Sequence, residues 1–136
     1  MRSIGLFNTL TPDTLAAVSE RAITRTYAAN EHILYEGEPC QAVYFVLHGH
    51  VRVYRLSPEG REQVLVRLGT GQAFNTVPPF QKGGRNQASA IATESTELLR
   101  LAKEDFLHLT LSHRDLAMAI FRDFADRLVH LAGLVE

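Results

Sequence analysis

One cysteine, Cys40, is all that this 136-residue chain contains. It cannot form an internal disulfide, and neither a cysteine-built zinc site nor an iron–sulfur cluster can be assembled around it. A reducing cytoplasm is the setting this implies. The chain also lacks an excess of charge of either sign, because fourteen Lys and Arg stand against fifteen Asp and Glu. The basic residues are scattered, so no electrostatic footprint for a nucleic acid is visible. Nowhere do about eighteen apolar residues run together, as a membrane helix requires. The opening MRSIGLFNTL has neither the apolar core nor the small-residue cleavage site of a secretory leader. These absences predict a soluble, unprocessed cytoplasmic protein with no membrane contact.

A chain of this length is expected to form one domain, 1–136, with a core that needs no covalent staples. Its patterning changes twice. In the first segment, 1–22, Thr11-Pro12-Asp13 reads as a helix start. Thr11 serves as N-cap, Pro12 takes the first helical position, and Asp13 lies near the positive end of the dipole. Leu15, Val18 and Ala22 make its expected buried stripe, with Phe7 and Leu10 just before it.

From Ile23 to residue 102 the period is two. Strands are expected over Ile23–Tyr27, over His32–Tyr35 and along AVYFVLHGHVRVYRL, whose interior Gly49 signals a bulge, a sharp bend or a close backbone approach. Ser57-Pro58-Glu59-Gly60 followed by Gln63–Leu68 reads as a hairpin, and ASAIA and ELLRLA supply two further strands. The spacing is that of small barrels and jelly rolls.

Between these strands lies Gly71–Ala92, GQAFNTVPPFQKGGRNQASAIA. Pro78-Pro79 cannot continue a helix or a central strand, and Gly83-Gly84 reaches backbone angles closed to other residues. A loop this long between strands is usually functional, which makes it the candidate ligand cradle.

The last segment, 103–136, returns to helical period. A short helix is expected over Lys103–Leu109 and a long one over Asp115–Val135. In the long helix Ala117, Phe121, Phe124, Leu128, Leu131 and Val135 are spaced four, three, four, three, four. That is a heptad seam, with Asp115, Arg122, Asp123, Asp126 and Arg127 off it, and it predicts pairing with an identical helix over 114–136. The chain stops at Val135-Glu136 with no glycine cap or polar tail, so a further segment is expected to follow.

Two other chemistries compete. His48-Gly49-His50 places two imidazoles at i and i+2, one face of a strand, as in metal-binding cupins. The following Val51–Leu56 holds no carboxylate to complete such a site, and surface histidines are the simpler reading. His32, His48, His50 or Cys40 could each serve as a haem ligand, but no local motif supports it. Cys40 is expected to be a structural thiol.

The order of parts resembles the cyclic-nucleotide-binding sensor domain of the Crp/Fnr transcription regulators. LFNTLTPDTL, Ile33–Pro39, Val43–Tyr54, SPEGRE, the Leu68–Gln72 step before the cradle and the long terminal helix carry the resemblance. It implies a mainly β fold with flanking helices. This is a double-stranded β-helix (a jelly-roll or β-roll) of about eight strands, with short N-terminal helices and a long C-terminal dimerisation helix. It also implies a helix-turn-helix domain beyond residue 136, through which alone DNA would be met.

In that family a glycine-glutamate-leucine triplet takes the ribose and an arginine meets the phosphate. Here the triplet falls on Asn75, Thr76 and Val77, and the arginine position on Asn86, followed by Gln87 and Ala88. Both charged groups are missing. Arg85 is adjacent, but a one-residue shift on a strand reverses its face. The positions meeting the base fall on Leu131 and Ala132, which offer no side-chain hydrogen bond.

The resulting expectation is a ligand-sensing, homodimerising regulatory domain that does not bind cyclic AMP in the usual way. Its small-molecule effector would meet Phe74, Asn75, Thr76, Val77, Arg85, Asn86, Gln87 and Ala88. No catalytic activity, metal or cofactor is expected. A cupin-like metal enzyme and a ligand-free dimerisation scaffold are the alternatives.

Overall fold

The computed structural model describes residues 5–133. After a 3-10 turn at Gly5–Phe7 comes α1 (Pro12–Arg21), and then eight strands. These are β1 (Ile23–Tyr27), β2 (His32–Leu34), β3 (Ala42–His48), β4 (Val51–Leu56), β5 (Glu62–Leu68), β6 (Ala73–Phe74), β7 (Ser89–Ala92) and β8 (Thr96–Ala102). Helices α2 (Lys103–Ser112) and α3 (Arg114–Leu131) close the chain. The strands form two four-stranded sheets in the orders β1-β8-β3-β6 and β2-β7-β4-β5. Every pairing is antiparallel. This is the expected mainly β roll with flanking helices.

β3 shows why the roll holds the helices. Its alternate residues serve two cores: Val43 and Phe45 pack with Phe7, Leu10, Val18 and helical Phe106, Leu109, Leu116 and Ile120. Ala42, Tyr44 and Val46 turn inward to Leu34, Val51, Phe74, Ala90 and Leu98. A strand buried on both faces reads as a continuous apolar run, as AVYFV does. Each large side chain fully buried this way stabilises by roughly 1.5–3 kcal/mol.

The capping expectation for α1 is met, since the Thr11 hydroxyl accepts from the Thr14 N–H at 3.3 Å. Its buried face differs from the expected stripe. Thr14 and Val18 are buried while Leu15 and Ala22 are half-buried, because the Thr14 hydroxyl donates to Asp115 at 2.8 Å. The hairpin forms as expected, with the Gly60 N–H bonded to the Ser57 carbonyl at 2.9 Å.

The HGH run is corrected. β3 ends at His48 and β4 begins at Val51, so the two histidines do not share the face of one strand. Gly49 sits at φ +99°, and a Cβ there would lie 2.5 Å from Thr96 Oγ1 and 2.8 Å from the Ser95 carbonyl. That close approach is why the position is glycine.

α2 extends to Ser112, three residues beyond expectation, and α3 is helical to Leu131 rather than 135. Val135 lies outside the described residues. No helix among the described residues is long and apolar enough to cross a membrane.

Candidate functional site

The loop Gly71–Ala92 is more ordered than its composition implies. It opens with β6, which pairs Tyr44↔Phe74 and Phe45↔Ala73 against β3. It then makes a 3-10 turn at Pro78–Phe80 whose two prolines are buried. Gly84 folds back on this turn so closely that a Cβ would lie 2.0 Å from the Pro78 carbonyl oxygen. The Cys40 N–H bonds to the Gly84 carbonyl at 3.1 Å, and the Asn86 N–H to that of Glu38 at 2.9 Å. These bonds fasten the far limb of the loop to the segment before β3.

Asn75 occupies φ +64°. Glycine adopts this angle freely and asparagine tolerates it, which fits Asn75 standing at the glycine position of the triplet pattern. The asparagine brings a side chain that glycine lacks. Its Nδ2 donates to the Ala42 carbonyl at 3.0 Å and to Asn86 Oδ1 at 2.9 Å, and reaches Cys40 Sγ at 3.5 Å. Asn86, in turn, donates from Nδ2 to the Tyr35 carbonyl at 3.0 Å. Cys40 is buried, and burial pushes its thiol up from the ordinary value, which makes it inert, as expected for a structural cysteine.

A cavity of about 910 Å³ opens between the roll and α3. Of the eight expected cradle residues, Phe74, Asn75, Thr76, Val77, Gln87 and Ala88 line it, whereas Arg85 and Asn86 do not. The reason is visible in their bonds. Asn86 is buried with both ends of its amide committed, and Arg85 points outward to donate to the Gly37 carbonyl at 2.8 Å. Arg85 therefore does not replace the missing arginine.

Several lining residues were not anticipated. Arg122, Asp123, Asp126, Arg127 and His130 line the cavity from α3. Sequence pattern assigned the first four only as off the apolar seam. The heptad pattern reads one apolar face of the helix, whereas these charged residues line the cavity on another. Arg127 is held by Asp123 at 3.0 Å. Leu131 also lines the cavity, as do Leu65 and Val66 of β5.

The residues of the expected seam differ in burial. Ala117 and Phe124 are half-buried, and Phe124 meets Phe80 of the cradle edge-on at 5.8 Å. Phe121, Leu128 and Leu131 are 59%, 67% and 81% exposed. The exposed face runs Met118, Phe121, Ala125, Leu128, Ala132, a three-four-three-four spacing that shares Phe121 and Leu128 with the expected seam.

The histidines named for the competing chemistries each meet another side chain. His50 Nδ1 bonds to Glu94, and His48 lies 3.9 Å from Glu97. No group of three or more potential metal ligands occurs among the described residues. His32 is committed to the Tyr54 hydroxyl at 2.7 Å and stacks on Tyr35 at 4.7 Å.

An eight-stranded roll with a cradle loop and a terminal helix flanking one cavity defines the architecture of a β-roll domain. The chain belongs to the cyclic nucleotide-binding domain family, whose sequence pattern matches residues 24–113. It is 38% identical over 109 residues to the cyclic AMP receptor protein of Thermus thermophilus, covering 80% of this chain and 50% of that protein. The crystal structure of the Thermus thermophilus catabolite activator protein superposes with a TM-score of 0.85 at 34% identity, covering 94% of this chain and 60% of that one. The sensor domain of the transcriptional regulator DNR from Pseudomonas aeruginosa superposes with a TM-score of 0.83 at 26% identity, covering 99% and 90%. The chain spans about half the length of the curated relatives it matches.

Proposed function

We propose that this chain is the effector-binding and dimerising part of a cytoplasmic, non-catalytic transcription regulator, and that its effector is a small molecule other than a cyclic nucleotide. The observation that carries the reading is the shared cavity, which has the cradle loop on one side and α3 on the other. An occupant touching both has different contacts when α3 shifts, and only such differential contacts move a conformational equilibrium. DNA would respond through a helix-turn-helix unit outside this chain, and a role in transcription is in line with the name of a relative, a global transcriptional regulator.

Against a cyclic nucleotide stands the chemistry of the cradle. A phosphate removed from water needs a cation to compensate it, and an arginine meets it with paired, charge-assisted bonds. Asn86 offers a neutral amide already bonded to Asn75 and Tyr35, and the triplet acid is Thr76. Calorimetry with cyclic AMP is the test. The expected result is no heat of binding at micromolar concentrations, and micromolar affinity would overturn the reading of Asn86.

A further inference from the structure

Thr76 is 2% exposed and lines the cavity. Its Oγ1 is a buried side-chain oxygen with no hydrogen-bond partner among the described residues. Buried hydroxyls are almost always paired, and an unpaired one is a standing penalty on the fold. The adjacent Asn75 amide does not relieve it, because its Nδ2 is spent on Ala42 and Asn86. Because Thr76 lines the cavity, an occupant is the partner within reach of this hydroxyl.

Leu34, Leu68, Phe74, Ala88 and Ala90 are buried and give the cavity an apolar wall, with the neutral Gln72, Asn75 and Gln87 also on its lining. Every charged side chain among the described lining residues sits on α3, and Arg127 there is already tied to Asp123. The cradle side thus has an unmet neutral hydrogen-bonding group among apolar and neutral polar residues, with no cation.

Resting on the reading of this cavity as the effector site, we propose that it takes a neutral, mainly apolar small molecule bearing a hydroxyl or carbonyl oxygen. The oxygen is seated on Thr76 and the carbon skeleton against the apolar wall. Burial of the skeleton supplies the affinity, and a site holding an unmet polar group favours a ligand that satisfies it over its bare hydrocarbon analogue. A phosphate ester seated on Thr76 is disfavoured because the cations of the lining all sit across the cavity on α3, and none lies on the cradle side.

The test uses the chain as it stands with three naphthalene probes: 1-naphthol, 1-methylnaphthalene and 1-naphthyl phosphate. Because the chain has no tryptophan, naphthalene fluorescence reports binding directly. The expected result is 1-naphthol binding more than about tenfold tighter than 1-naphthyl phosphate, with Thr76→Val weakening 1-naphthol roughly fivefold, the worth of one neutral hydrogen bond. Thr76→Val should leave 1-methylnaphthalene unchanged, and Thr76→Ser should keep the preference for 1-naphthol, which separates loss of the hydroxyl from loss of the fold. Tighter binding of the phosphate ester would overturn the ligand class while leaving the effector site standing. Equal losses for 1-naphthol and 1-methylnaphthalene on Thr76→Val would overturn the role of the hydroxyl. Failure of all three probes, with Thr76→Val melting higher than the parent chain, would overturn both the ligand class and the reading of the cavity as an effector site.

Discussion

Asn75 and Asn86, eleven residues apart in sequence, meet side chain to side chain, the Nδ2 of one donating to the Oδ1 of the other at 2.9 Å. The two limbs of the cradle are thereby joined by a neutral bond at the positions where the family pattern places a glycine and an arginine. From Asn86 the chain of bonds continues to the Tyr35 carbonyl, so this link from the cradle to the segment before β3 is made by neutral groups, beside the bond from Arg85 to the Gly37 carbonyl.

Truncating this link should be costly. Asn86→Ala removes two hydrogen bonds in a buried place and leaves the Tyr35 carbonyl and the Asn75 amide short of a partner. At roughly 1–3 kcal/mol for a group left unsatisfied, the variant should lose about 2 kcal/mol, read as a lower urea midpoint with an unchanged slope.

Phe80 links the cradle to both terminal helices, meeting Phe106 edge-on at 5.6 Å and Phe124 at 5.8 Å. Such pairs contribute about 0.5–1.5 kcal/mol beyond the area they bury. A double-mutant cycle of Phe80→Ala and Phe124→Ala should return a coupling of that size. Strict additivity would show that the cradle and α3 are energetically separate and would remove the route by which an occupant moves the helix.

The fold was legible because its signals were local. Thr11-Pro12 announced α1, Pro58 and Gly60 the hairpin, and the run AVYFV a strand buried on both faces. The site was legible only in outline. β6 went unseen because two residues carry no period, and its pairing to β3 is a tertiary fact. The withdrawal of Asn86 from the cavity depends on a partner at Asn75 and a carbonyl at Tyr35 that no spacing rule connects. Phe124 of the expected seam is half-buried against Phe80 instead, and an aromatic residue reads the same in sequence whichever surface it meets.

Asp115 should make stability pH-dependent. Burial pushes its carboxyl up, but the N–H of Thr11, the hydroxyl of Thr14 and the N–H of Leu116 donate to the charged form and hold it below the ordinary carboxylate value. A carboxyl with a depressed folded value contributes fully above its unfolded value, near pH ~4, and loses that contribution as pH falls through the folded value. The stability gap between the parent chain and Asp115→Asn should therefore be constant from neutral pH down to about pH 5 and shrink below about pH 4. Thermal melts across that range measure it, and a gap that persists undiminished at pH 3 would show that the bonds from Thr11 and Thr14 do not depend on the charge.

The exposed face of α3 leads to the last expectation. Phe121 and Leu128 belong both to the heptad seam and to the face that the roll leaves uncovered, at 59% and 67% exposure. Scattered apolar residues on a surface are ordinary, but a three-four-three-four row along one helix is the pattern of a paired seam. Burying charge in such a seam is expensive whereas charge on a solvated helix face is nearly neutral, so one substitution separates the two cases. Phe121→Asp combined with Leu128→Asp should convert a dimer to a monomer in sedimentation while leaving the helix signal in circular dichroism unchanged. If the parent chain itself sediments as a monomer at high micromolar concentration, the row is a packing surface for something other than a second copy, and the dimerising half of the proposed function falls with it.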